Sequence, residues 1–227
     1  MAHSTFEIVN ALLDLSMSDE KIPGLDAIPM GCTVTLSRDY GSTGFETAKQ
    51  LAKKLGVRCF DKEILDAIAE QSNVDIGLLE KLDEHSRGFI EQWATSLISG
   101  KAAYHSDYKR HLVNIVLGIA RQGGVIVGRG AHLILDPRRV FRVRITGSLE
   151  ECAERIAARE SISVEQATKK VKQVNDDRAA YVKRMFHVPL HDASRFDVIL
   201  NSDRHSPEDL ADIIVHAMRK AKLPVPD

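Results

Sequence analysis

The sequence predicts an α/β fold: a five-stranded, mainly parallel sheet in three layers, with helices on both faces. Three observations carry this prediction. Short apolar, β-branched runs alternate along the chain with helical patterns of ~10 or more residues, the signature of parallel strands buried on both sides. The 227 residues suit one α/β domain with a small insertion and can bury a full core. A hydrophobic content of 44% with 28% charged residues is that of an ordinary globular protein.

The elements follow in order. Residues 1–31 form a tail in which "STFEIVNALLDLSM" gives a rough apolar helical side, through Phe6, Val9, Leu12, Leu13 and Leu15. A linker broken by Pro23, Gly24 and Pro29 follows. The domain proper spans 32–222. Its strands are expected at Thr33–Ser37, Val57–Asp61, Gly124–Gly128, Val140–Thr146 and Phe196–Asn201. Helices are expected at Glu46–Leu55, Lys62–Gln71, a long region over about 76–122, Leu149–Glu160, Val164–Arg184 and Pro207–Ala221. Ser148, followed by Leu149-Glu150-Glu151, is an N-cap with acidic first-turn residues. Ser206-Pro207-Glu208-Asp209 repeats that signature with proline at the first helical position. Ligands of such sheets sit at the carboxyl ends of the strands, so residues just past each strand carry the functional interest.

The bulk numbers narrow the classes. A net charge of −1 gives no global basic field for nucleic acid or an anionic membrane, so phosphate chemistry must rest on local Arg and Lys clusters. Cys32, Cys59 and Cys152 lack CxxC spacing and are expected as reduced, buried thiols, with no zinc site. No apolar run approaches the ~20 residues of a membrane span, and no signal-peptide pattern opens the chain. A cytoplasmic location is expected. His85, His105, His111, His187 and His191 show no metal-ligand spacing. Gly128-x-Gly130 lacks the third glycine of a dinucleotide loop, and no GxSxG elbow occurs.

The stretch "TVTLSRDYGSTGFETAKQLAKKLG" (Thr33 to Gly56) begins like a phosphate-binding loop, with a strand, glycines and a helix. In that design, backbone N–H groups surround the phosphates at a helix N-terminus, a lysine adds charge and a hydroxyl reaches magnesium. Anchoring G-x-x-x-x-G-K-[ST] on Gly44 puts Asp39 at the first glycine, Phe45 at the lysine and Glu46 at the hydroxyl. What remains is Gly41-Ser42-Thr43-Gly44, which can still form an anion-binding concavity. Threonine disfavours positive φ, so Gly41 and Gly44 are expected to supply it. Arg38 is the nearest substitute cation and Thr47 the nearest helix hydroxyl, one residue late. Asp39 reads as a solvated turn aspartate rather than a magnesium ligand.

Four motifs in chain order then carry a resemblance. "SRDYGSTGFETAKQLAKKLGVRCFDKEIL" resembles the opening of the cytidylate kinase-like proteins, a branch of the P-loop nucleoside monophosphate kinases. Ser37, Arg38, Tyr40, Gly41, Ser42 and Gly44 match its pattern, as do Asp61, Lys62 and Glu63. "VIVGRGAHLIL" matches at Gly128, Arg129 and Gly130; "NDDRAAYVKRMF" and "FDVILNS" match at Asp177, Arg178, Tyr181, Asp197, Asn201 and Ser202. The match runs from about Thr33 to Lys220. Two positions depart from it: Thr43 replaces a glycine, and Phe45 replaces an arginine that would stand where other P-loops carry lysine.

The resemblance implies a P-loop NTPase fold with a helical lid over about 155–185 and an acceptor-binding helical insertion over about 76–122. It implies ATP and Mg²⁺ as cofactors and transfer of phosphoryl to a pyrimidine nucleoside monophosphate such as CMP. Gly41, Ser42, Thr43 and Gly44 would cradle donor phosphates while Arg38 supplies charge. Asp61 and Arg129 would seat the acceptor. Arg155, Arg159, Arg178 and Arg184 would close over the transferring group, because guanidinium forks follow phosphoryl oxygens as charge shifts. In the insertion, Trp93, Tyr104 and Tyr108 read as packing residues, as does Tyr181 on the lid. The partner expected is a small nucleotide, with no nucleic acid and no membrane; a homo-oligomer is compatible. The missing cation keeps a second reading open, a nucleotide- or anion-binding regulatory module with weakened catalysis. A kinase for another small phosphate acceptor is a third.

Overall fold

A computed structural model describes residues 31–61, 112 and 116–225. The expectations for the tail over 1–30, the helix Lys62–Gln71, and Trp93, Tyr104, Tyr108, His85, His105 and His111 lie outside these residues. So does the 76–122 insertion, apart from Leu112 and the helical residues 116–122. The chain divides into two compact units, one of Met1–Gly31 with Phe60–Gly123, the other of Cys32–Cys59 with Gly124–Asp227. The second unit carries most of the sheet.

The described elements are β1 (Thr33–Arg38), α1 (Gly44–Leu55), β2 (Cys59–Phe60), β3 (Gly124–Val127), α2 (Ala131–Ile134), β4 (Phe141–Thr146), α3 (Leu149–Glu160), α4 (Val164–Phe186), β5 (Val198–Asn201) and α5 (Pro207–Lys220). A 3-10 turn at Ala193–Arg195 precedes β5. Strand order is β2-β3-β1-β4-β5, and the pairings of β1 with β3, β1 with β4 and β4 with β5 are parallel. The expected strands are present, with β2 cut to two residues. The short helix α2 and the 3-10 turn depart from the expectation, being shorter than a helical period can reveal.

Period-2 alternation sorts the strands. Val34 and Leu36, Val125 and Val127, and Val143 and Ile145 form one cluster with Ala48, Leu51 and Leu55 of α1 and Leu210, Ile214 and Met218 of α5. The opposite parity on β1, Thr33, Thr35 and Ser37, is buried as well. The centre of the sheet is therefore buried on both faces, while β5 at its edge leaves Ile199 and Asn201 exposed. A second cluster joins Cys152, Ile156 and Ala157 of α3 to Ala167, Val171 and Val174 of α4, with Tyr40 among them.

Helix starts follow the side-chain chemistry. Ser148 accepts from the Glu151 amide. Ser206 and Asp209 form a reciprocal capping box at α5. Ser163 and Gln166 form another at α4, which runs 23 residues without an internal glycine or proline. All three cysteines are free thiols, but only Cys152 is buried; Cys32 and Cys59 are partly exposed, unlike the expectation. Among the described residues, no helix is long and apolar enough to cross a membrane.

Candidate functional site

β1 delivers the chain into the glycine loop at the carboxyl edge of the sheet. Gly41 takes φ +84° and lies so close to α3 that a Cβ would stand 2.6 Å from the Cys152 carbonyl oxygen. Gly44 opens α1, where a Cβ would meet the Cβ of Arg38 at 2.5 Å. The left-handed residue beside Gly41 is Thr43, at φ 54°, and Gly44 is helical. That corrects the expectation that Gly44 supplies positive φ: close approach, not dihedral freedom, requires glycine there. Thr43 bears the conformation as the helix N-cap.

Bracing groups shape the loop from below. Ser42 is buried and its hydroxyl donates to the carbonyls of Asp39 (2.9 Å) and Ile145 (3.3 Å). Thr47 is buried too, and its hydroxyl donates to the Thr43 carbonyl at 2.9 Å, so it is turned from the loop's open side to the backbone. The Thr43 hydroxyl oxygen is buried with no hydrogen-bond partner. Among the described residues, the amides of Gly41, Thr43, Gly44, Phe45 and Glu46 donate to no protein group. These are the open donors of a helix start and the turn before it, where an anion is favoured.

Arginines surround the loop. Arg155 donates to the Gly41 carbonyl at 3.3 Å and to Ser202 through its hydroxyl (3.3 Å) and carbonyl (3.2 Å), with Glu151 at 3.2 Å. Arg178 donates to the Arg38 carbonyl at 3.1 Å. Arg159 donates to the Tyr40 hydroxyl at 2.8 Å and pairs with Glu160. Tyr40 in turn donates to Glu160 at 2.6 Å, and its ring faces Arg159, Arg178 and Lys170. Partial burial pushes the Glu160 carboxyl up, but hydrogen bonds from Lys170, Tyr40 and Arg159 overcome it and hold the group at about 2. Asn175 completes the frame by accepting from the Tyr40 amide at 2.8 Å.

Arg38 behaves differently from the expectation of a cation over the glycines. Its stem lies against Gly44 and its guanidinium reaches the backbone at Gly128, the end of β3. Arg129, next along and also at positive φ, faces the Tyr181 ring at 5.7 Å. Arg184 is half-buried in the last turn of α4. Asp61 follows β2 in the other unit and is half-buried. The structure thus gathers Arg155, Arg159 and Arg178 at the loop, and Arg38 with Arg129 at the β3 turn.

Asp39 is not a solvated turn residue. Its carboxylate accepts from Arg144 at 2.6 Å, and the arginine side chain is only 4% exposed. Arg144 also donates to Ser37 (3.3 Å) and stands 3.1 Å from His191 Nδ1. Burial lowers the Arg144 pKa while the Asp39 charge raises it. His132, buried on α2, stacks on Phe196 with centroids 4.8 Å apart. Burial, then the charges of Arg144, Arg142 and Arg195, push its imidazole down to about 4. Sequence reasoning missed Arg144, Asn175 and His132 as site neighbours. The signal for Arg144 was "FRVRIT", charges at period two inside an otherwise apolar strand.

The groups present fit a polyphosphate: open amides at the start of α1 and an orphaned buried hydroxyl on Thr43. For magnesium, Asp39 is committed to Arg144 and Thr47 to backbone, leaving exposed Glu46 in the first turn of α1. Among the described residues no three His, Cys, Asp or Glu converge on a metal position. Magnesium needs no such cage, since one or two carboxylates and substrate phosphates suffice.

A model of the cytidylate kinase-like family matches residues 33–204. The cytidylate kinase of Ignicoccus hospitalis is 25% identical over 185 residues, covering 80% of this chain and 95% of that protein. The cytidylate kinase of Sulfolobus acidocaldarius is 26% identical over 197 residues, covering 84% and 96%. A crystal structure of an uncharacterized protein from Eubacterium ventriosum superposes with a TM-score of 0.64 at 20% identity, over 83% of this chain and 99% of that one, a likeness of fold.

Proposed function

The chain belongs to the cytidylate kinase-like family, and on that premise we propose that it transfers the γ-phosphoryl group of ATP to a pyrimidine nucleoside monophosphate such as CMP. The observation that supports this most is the loop itself, whose open amides at the start of α1 stand beside the arginines of α3 and α4. Amides of Gly41, Thr43 and Gly44 hold the donor phosphates, and the Thr43 hydroxyl adds a donor. Arg155, Arg159 and Arg178, with Arg184, release their present partners and follow the transferring oxygens, where such donors are worth most. Arg129 and Arg38 at the β3 turn receive the acceptor. The acceptor's own phosphate oxygen is the nucleophile: its bond to γ-phosphorus forms as the β–γ bridge breaks, leaving ADP. When bound, magnesium would be held by Glu46 and would neutralise charge on the donor phosphates. A cytoplasmic location belongs to the same proposal.

A second reading rests on Phe45 and Glu46, which stand at the lysine and hydroxyl positions. Loss of one transition-state donor slows turnover by roughly 10²–10³, enough to leave a nucleotide-binding regulatory module. Coupled measurement of ADP release with CMP, dCMP, UMP and AMP separates the two. Release that depends on CMP is expected. Nucleotide binding without release dependent on any acceptor retires the kinase and leaves the module; release with a different acceptor keeps the kinase and replaces CMP.

A further inference from the structure

We propose that Lys49 supplies the cation that the loop's own sequence lacks, contacting the terminal phosphates of the donor nucleotide from the first turns of α1. The inference deepens the nucleotide-binding reading above and rests on it. The ammonium nitrogen of Lys49 lies 4.4 Å from the centroid of the Phe45 ring, at the position where the loop pattern has its lysine. Helical side chains tilt toward the N-terminus, and four residues rise only ~6 Å, about the reach of a lysine. The Lys49 charge is thereby carried back to the turn whose amides at Phe45 and Glu46 are open and whose Thr43 hydroxyl is orphaned.

The partner chosen matters. A carboxylate would neutralise the ammonium and occupy its donors. The face of an aromatic ring steadies the charge while leaving its N–H groups available. Lys49 is exposed and forms no ion pair among the described residues. The arginines beside the loop are engaged: Arg155 with Glu151, Arg159 with Glu160, Arg178 with the Arg38 carbonyl, and Arg38 against Gly128. Phe45 is then not merely a lost cation. It is the platform for one borrowed from the next turn, and a polyphosphate at the amides draws the ammonium off the ring.

Calorimetric titration with MgATP tests this on the wild type, Lys49→Met, Lys49→Arg, Lys53→Met and the double variant Phe45→Lys/Lys49→Met. Lys49→Met is expected to weaken binding about tenfold and to flatten its dependence on ionic strength. Lys49→Arg, and Phe45→Lys placed in the Lys49→Met background, restore it; Lys53→Met, one turn farther along, leaves it unchanged. Wild-type affinity in Lys49→Met overturns the inference and spares the nucleotide site. A loss that neither Lys49→Arg nor Phe45→Lys restores marks a structural role and also overturns it. No binding by the wild type overturns the nucleotide reading and this inference together.

Discussion

Arg144 is a guanidinium embedded in a parallel strand, paired with a carboxylate from the loop above it. Charges so placed are tolerated only when satisfied, and Ser37, Asp39 and His191 together do that. The pairing was not legible in the chain because Asp39 and Arg144 are separated by more than a hundred residues and meet only once β1 and β4 are in register. The same holds for His132, whose neighbours come from β4 and from the segment leading into β5. Its folded pKa, about 4, lies below the ordinary histidine value, so the folded state favours the neutral ring. Its contribution is therefore fully present above pH ~6.5 and is lost as pH falls toward 4, amounting to ~3 kcal/mol across that window. Urea denaturation at pH 7 and pH 4.5 should show this loss. His132→Phe, which keeps a ring on Phe196, should remove that share of the acid sensitivity; an unchanged difference between the two pH values would assign it elsewhere.

At the scale of elements, the loop and the α3–α4 pair are fastened together. Tyr40 packs in the α3–α4 cluster, Asn175 takes its amide, Arg178 takes the carbonyl of Arg38 and Arg155 that of Gly41. The chain showed the arginines and their two helices, because helical periodicity and the Arg spacing are local. It did not show that they bind loop backbone rather than only the carboxylates nearby, since carbonyl positions are not encoded by any one side chain. The motif match at Tyr40 was visible, yet its three surrounding cations were not. Asn175→Ala leaves the part-buried Tyr40 amide without an acceptor and is expected to cost about 1–3 kcal/mol in chemical denaturation. Asn175→Asp keeps an acceptor oxygen and should retain most of that stability. Equal losses in both variants would show that the contact does not depend on the acceptor.

Over the whole molecule, the sheet was legible because its strands are short apolar or β-branched runs separated by capped helices. Ser148 and Ser206 mark the starts of α3 and α5 through local side-chain chemistry alone, and both caps form. The place of the candidate loop was equally legible: parallel strands put ligands at their carboxyl edge, and the loop after β1 lies there. What the chain hid was the loop's inner arrangement, in which Thr43 takes the left-handed turn, Gly44 yields to Arg38, and Ser42 and Thr47 are used as braces. Under the proposed function, donor phosphates are held by the open amides, with Lys49 in place of a lysine at position 45. Titrating MgATP into ¹⁵N-labelled protein tests that most directly. Saturable shifts of the amide signals from Gly41 through Glu46 are predicted, larger than those elsewhere in the sheet. Saturating nucleotide that leaves those signals where they began would contradict it.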